Sequence, residues 1–292
     1  MKKWHRDTGL QARMLLTMFL LAALYLFFLV IISTYGGVGT YGMIFFAGIF
    51  LGLQFLFSDK LVLWSMGGRI VSEQEEPRLH ETVSRLCAIA DLPKPKIAVV
   101  NSSVPNAFAT GKSKKSALVA VTTSIMQKLD QAELEAVLAH ELSHVKNRDM
   151  LVITIASFLS TVAFFLARNM LFFGMGNRRN SGATMVIWIV SIVVWILSFI
   201  LIRALSRYRE FAADRGAAII TGRPAHLASA LMKISGVMER VPSQDLRKVE
   251  GMNAFFIIPA ISGDSIMKLF STHPSVERRI SALEEMERKM EF

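Results

Sequence analysis

Only one cysteine, Cys87, stands among the 292 residues, which excludes an internal disulfide and a cysteine-rich metal site and fits a reducing compartment. Charge is absent altogether from residues 14–58, from 151–167 and from 180–202. Such runs exclude an ordinary soluble surface and mark a polytopic membrane protein. No internal repeat, low-complexity tract, GxSxG elbow or glycine-rich phosphate loop occurs. Acidic residues are the minority, 23 against 33 basic, for a net charge of +10. The basic residues nonetheless form no stripe interleaved with aromatics, so the inner face of a membrane explains the charge better than nucleic acid does.

The charge-free runs arrange themselves in pairs. The first divides at Gly36-Gly37-Val38-Gly39 into 14–35 and 41–57, each long enough, or nearly so, to span about 30 Å of hydrocarbon at 1.5 Å per residue. The second pair is 151–167 and 180–202, joined by a short turn carrying Arg168, Arg178 and Arg179. Four transmembrane helices in two hairpins are expected. The first run is too long for a cleaved leader and leads straight into the next. Lys2, Lys3, Arg6 and Arg13 precede the first span, and Lys60 and Arg69 follow the second. Lys146 and Arg148 precede the third, and Arg203, Arg207 and Arg209 follow the fourth. All of these fall on one side, which the positive-inside rule makes the cytoplasm. Both termini and the polar segments are therefore expected on the cytoplasmic side of the cell membrane.

The polar parts carry helix and strand signals. Residues 72–92 read as an amphipathic helix with Leu79, Val83, Leu86 and Ala90 on one face, ended by Pro93 and Pro95. Three strands follow, 96–100, Asn106-Ala107-Phe108-Ala109-Thr110 and 117–122. An edge strand in that sheet offers a place for an extended peptide to add by strand pairing, although plain core structure accounts for the pattern equally well. The fold class is α+β, mostly α. Its expected parts are a first membrane hairpin (1–57), a catalytic lobe (58–150), a second hairpin (151–205) and a further catalytic lobe (206–292).

The chemistry centres on His140-Glu141-Leu142-Ser143-His144, inside a helix that starts at an Asp130 N-cap with Glu133 completing a capping box. Residues i and i+4 share a helix face, so both imidazoles reach one metal ion. Glu141, about 100° around the helix, is placed to handle a water beside that ion without being a ligand. A two-span hairpin returns to the side it left, so Tyr208-Arg209-Glu210-Phe211-Ala212-Ala213-Asp214 re-emerges beside His144. Glu210 then completes a His₂Glu set, and Asp214, one turn on, is placed to accept the other ring N–H of a ligating histidine. Imidazole ligands favour zinc over calcium or magnesium. Read alone, Glu210 suits an ion pair with Arg207 or Arg215 better than a metal. His5, His80 and His226 have no ligand spacing.

With these residues in hand, the chain resembles the HtpX-type membrane zinc metalloproteases, heat-shock proteases related to the CAAX-prenyl endopeptidases. The resemblance rests on His140–His144, on Glu210–Asp214, on Asn106-Ala107-Phe108-Ala109-Thr110-Gly111 and on His273-Pro274 followed by Arg279-Ile280. It implies one zinc ion per subunit on His140, His144 and Glu210, Glu141 as general base and acid, and Asp214 supporting a ligand. It also implies a zincin-like cytoplasmic domain, Asn106, Ala107, Phe108, Ala109 and Thr110 as the strand that receives substrate, and His273 as a transition-state partner. Protein substrates, misfolded membrane proteins among them, and the lipid bilayer are the partners it implies. Two other classes stay open: a membrane scaffold or sensor with structural zinc, which needs a fourth protein ligand, and a prenyl-protein protease, which needs a larger membrane chamber. A metzincin is not expected, because the position six residues past His144 is Met150 and position 147 is Asn.

Overall fold

Helix α1 (Thr8–Tyr35) opens at Asp7, whose carboxylate accepts the Leu10 N–H at 2.9 Å. Along it Leu21, Tyr25, Phe28 and Ile32 are buried, at steps of four and three residues that make a single stripe. The stripe packs on Val162, Ala163 and Leu166 of α5 (Asp149–Gly174) and on Val194 and Leu205 of α6 (Ser181–Thr221). The Tyr25 hydroxyl donates to the Ala156 carbonyl at 2.5 Å, and the Trp188 indole to that of Ala167 at 2.9 Å. Elsewhere on α1, Leu16, Phe19 and Leu26 are exposed. Apolar residues on every face are what a helix surrounded by hydrocarbon requires.

The computed structural model describes residues 7–36, 41–42, 44–46, 48–49, 52–53, 62–174, 181–238, 257 and 273–290. Among them, α1, α5 and α6 are the helices long and apolar enough to cross a membrane. Of the other expected span, 41–57, residues 43, 47, 50, 51 and 54–57 lie outside the described residues, as do the apolar run 252–261 apart from Ile257 and the Arg178-Arg179 turn. The architecture is mostly helical with one small sheet. The chain falls into two compact units, Met1–Leu56 with Val152–Tyr208 and Phe57–Leu151 with Arg209–Phe292.

The second unit is built on a mixed four-stranded sheet of β1 (Gly68–Ile70), β2 (Lys96–Val100), β3 (Ala107–Thr110) and β4 (Leu118–Thr122), in the order β1-β2-β4-β3. The central pair, β2 and β4, runs parallel, and both edges are antiparallel. Side chains alternate between two cores. Ile97, Val99, Val119 and Val121 face the main helical core, while Ala98, Val100, Phe108 and Ala120 pack under Val62. Strand β1 has no counterpart among the sequence expectations, because three residues beginning with glycine carry no alternating pattern.

Helix α2 (Pro77–Ala90) lies within the expected 72–92 stretch and begins at its proline, as the Glu75-Glu76-Pro77 start signal implies. Glu75 turns back to accept the Ser72 N–H at 2.7 Å, closing a turn before the Pro77 start. Beyond the short α3 (Thr123–Lys128), helix α4 (Gln131–Asn147) begins with the expected capping box: Asp130 accepts the Glu133 N–H at 2.9 Å and Glu133 accepts the Asp130 N–H at 2.9 Å. Buried Glu133 also takes Lys233 and Ser229, at 2.7 Å each, from α7 (Pro224–Met238), which ties the two helices together. Helix α8 (Val276–Met290) closes over α7 and sends Leu283 into the core.

Helix α6 runs unbroken for 41 residues because no proline interrupts it, so the span expected to end near residue 202 continues straight into the Glu210 segment. Its approach to α4 depends on one residue. A Cβ added at Gly216 would lie 2.4 Å from Ser143 Oγ and 2.7 Å from Ser143 Cβ, inside the motif itself. Gly216→Ala should therefore lower stability by about 1–3 kcal/mol through overpacking. The measurement is the chemical-unfolding midpoint of the detergent-solubilised protein. Ser143→Gly added to it should recover part of the loss, and an unshifted Gly216→Ala midpoint would show that the contact does not set the helix spacing.

Candidate metal centre

The two motif histidines lie on the buried face of α4, with ring centroids 4.7 Å apart and planes at 90°. Each ring is fixed from behind. His140 Nδ1 is 2.9 Å from Asp214 Oδ1, and His144 Nδ1 is 2.6 Å from Asp149 Oδ2. A carboxylate takes an N–H, so both rings carry their proton on Nδ1 and leave a lone pair on Nε2. These two lone pairs face each other, with the Nε2 atoms 3.1 Å apart. Glu210 supplies the third corner, its Oε1 3.5 Å from His144 Nε2 and its Oε2 3.7 Å from His140 Nε2.

Electron-pair donors with no hydrogen between them repel unless a cation sits among them. A tetrahedral ion with ligands at 2.0–2.1 Å places neighbouring donors about 3.3–3.4 Å apart; the two Nε2 atoms are 3.1 Å apart, His144 Nε2 is 3.5 Å from one Glu210 oxygen and His140 Nε2 is 3.7 Å from the other. Among the described residues His140, His144 and Glu210 form the one group of potential ligands within mutual reach. Glu210 Oε2 is also enclosed without a hydrogen bond of good geometry. Two neutral imidazoles and a carboxylate fit zinc. Burial keeps His140 below the ordinary histidine pKa against the pull of Asp214, so the ring stays neutral and free to ligate.

Each supporting carboxylate is held in turn by a buried arginine. Arg279, from α8, grips Asp214 with Nε and a terminal nitrogen at 2.9 and 2.6 Å and gives its other terminal nitrogen to the Ile257 carbonyl at 2.8 Å. Burial works against the charge of Arg279, but Asp214, Glu210 and Glu141 around it hold its pKa above the ordinary value. Arg209 pairs with Asp149 and donates to the Asn147 carbonyl at 3.0 Å. The sequence reading anticipated Asp214 but neither Asp149 nor a task for Arg209 or Arg279. One signal was present: an aspartate directly before a charge-free run is expensive near a membrane unless it is paired.

Glu141 is buried beside the cluster, and burial, helped by the nearby Glu210, pushes its carboxyl up to about 7 while His144 and the Ala109 backbone N–H oppose the rise. His273 approaches from the other side, its Nδ1 3.1 Å from Glu210 Oε2. Strand β3 is an edge of the sheet and packs against α4. Ala107, Phe108, Ala109 and Thr110 are all buried, and the side-chain oxygen of buried Asn106 accepts the Ile257 N–H at 3.0 Å.

Neutral imidazoles, a carboxylate and an adjoining carboxyl poised near neutrality make up the donor and acid–base set of a mononuclear metallohydrolase. The comparisons with known proteins agree with that class. Residues 73–287 match the model of Peptidase family M48. The protease HtpX homolog 2 of Methanosarcina mazei is 67% identical over 292 residues, 99% of either chain. The protease HtpX homolog of Moorella thermoacetica is 59% identical over 290 residues, 98% of this chain and 97% of its own. The crystal structure of S. mikatae Ste24p superposes with a TM-score of 0.58 at 18% identity, over 95% of this chain and 67% of that one, a likeness of fold alone. This chain belongs to peptidase family M48 and is an HtpX-type membrane metalloprotease.

Asp149→Asn should weaken zinc binding about 10–100-fold, because an amide can present its N–H to His144 Nδ1 and release the tautomer. Competition against a zinc-binding dye measures this. Unchanged affinity would mean that Asp149 serves only the packing of Arg209.

Proposed function

We propose that the chain is a zinc-dependent endopeptidase that cleaves misfolded or damaged membrane proteins at the cytoplasmic face of the cell membrane. The observation that carries the reading is the pair of Nε2 lone pairs 3.1 Å apart with Glu210 across from them. His140, His144 and Glu210 are the residues that would hold one zinc ion, with Asp214 and Asp149 fixing the histidines behind it. When bound, the ion supplies a Lewis acid that acidifies water and polarises a carbonyl. Glu141 takes a proton from the attacking water as its oxygen bonds to the scissile carbon, and returns that proton to the leaving nitrogen as the C–N bond breaks. A buried carboxyl near 7 suits both halves of that transfer. His273 is placed to donate to the oxygen on which charge develops. Strand β3, Asn106 to Thr110, receives the substrate by backbone pairing along its free edge.

Four spans in two hairpins, 1–57 and 151–205, carrying a zincin-like domain made from 58–150 and 206–292, complete the proposed plan. The lysines and arginines at the span ends support the cytoplasmic placement. A structural-zinc scaffold asks for a fourth protein ligand, and among the described residues the cluster has three members.

Glu141→Gln should retain zinc while losing cleavage of an unfolded membrane substrate by about 10³-fold or more, the scale of a lost general base together with its return as acid. Because the carboxylate is the active form, kcat/KM of the wild type should fall on acidification with an apparent pKa no higher than about 7. Zinc content and initial rates across pH check both statements. A Glu141→Gln enzyme with full activity contradicts the mechanism.

A further inference from the structure

Beside the metal cluster lies an open groove, about 330 Å³ including its mouth, between the end of β3 and the end of α4. His144 forms one wall, and Thr110 and Gly111 form another. Besides Ser113 and several apolar residues, the rest of the lining carries three cations, Lys112, Lys114 and Arg148. Among the described residues none of these three makes an ion pair, and Arg148 is exposed. The groove's carboxylate, Asp149, is buried and already engaged by Arg209 and His144.

The lining is fixed by the backbone. Gly111 has φ +132, and a Cβ there would meet the Ser116 carbonyl at 2.7 Å and Ala117 Cα at 2.8 Å, so the β3–β4 turn is held in place by glycine. Arg148 ends α4 in the left-handed conformation, φ 57, with its N–H on the carbonyls of His144 and Val145. Three cations that make no ion pair among the described residues therefore border a space that opens onto a metal-ligand ring and onto the end of the edge strand.

We infer that this groove is a substrate subsite for an acidic side chain close to the scissile bond. The inference rests on the peptidase reading above and adds a preference that none of the site residues supplies. A glutamate or aspartate carboxylate accepts from one or two of the cations, the charge-assisted pairing that suits a partly enclosed site. A peptide is favoured over an anionic lipid headgroup because the groove is continuous with His144 and β3.

The test uses full-length enzyme in bilayer nanodiscs and a neutral peptide whose cleavage is abolished by a chelator, which checks the peptidase reading first. Residues flanking the cleaved bond are then replaced one at a time by Glu, Gln or Lys. At one position Glu should exceed Gln about tenfold in kcat/KM, carried by KM, and the ratio should shrink as salt rises. The double variant Lys112→Glu with Arg148→Glu should reverse the order, cleaving the Lys peptide better than the Glu peptide, a result that a misfolded enzyme cannot give. Chelator-sensitive cleavage with no acidic preference at any position, or a double variant that keeps the wild-type order, overturns the inference and leaves the peptidase reading standing. A preference present in phosphatidylcholine discs that vanishes in phosphatidylglycerol discs assigns the groove to lipid and overturns it as well.

Discussion

Two imidazole lone pairs held 3.1 Å apart are a repulsive arrangement, and the structure around them exists to maintain it. Asp214 and Asp149 do so by taking the Nδ1 protons, and each is itself fixed by a buried arginine. Two carboxylate–arginine pairs buried next to a ligand set cost desolvation that hydrophobic residues would avoid. Their presence is explained by what they do to the rings: a chosen tautomer, a fixed plane and a ready lone pair. The metal site is therefore a property of four chain segments, α4, the start of α5, α6 and the start of α8, brought together by their packing.

That packing has its own local causes. The Asp130–Glu133 box and the reach of Lys233 and Ser229 to Glu133 fix α4 at its N-terminal end. Gly216 lets α6 close on Ser143, and the absence of proline allows one helix to carry both a membrane-spanning stretch and the third corner of the cluster. Capping, close approach and helix continuity thus decide where Glu210 stands.

Much of this was legible in the sequence, for identifiable reasons. The spacing of His140, Glu141 and His144 and that of Glu210 and Asp214 are helix-periodic, and charge-free runs are visible without any neighbour. The expectation that the chain returns to the side it left was enough to pair His144 with Glu210, and the two do lie in one cluster. What escaped was non-local and unpatterned: Arg279 reaching Asp214 across 65 positions, Arg209 reaching Asp149 across 60, and β1 with three residues and no alternation. Charged residues that find each other across a fold leave no local period, and Asp149 announced itself only through the membrane penalty it would otherwise incur. The left-handed Arg148 and the groove it lines were equally invisible, since turn geometry rather than composition creates them.

The central claim is one zinc ion on His140, His144 and Glu210, with the fourth position left to solvent or substrate. Zinc-edge X-ray absorption on the purified protein tests it most directly. Two imidazole nitrogens and two oxygen donors at about 2.0–2.1 Å, at one zinc per chain, is the predicted coordination. A third imidazole in the coordination shell, or a protein that leaves purification with no affinity for zinc, would contradict it.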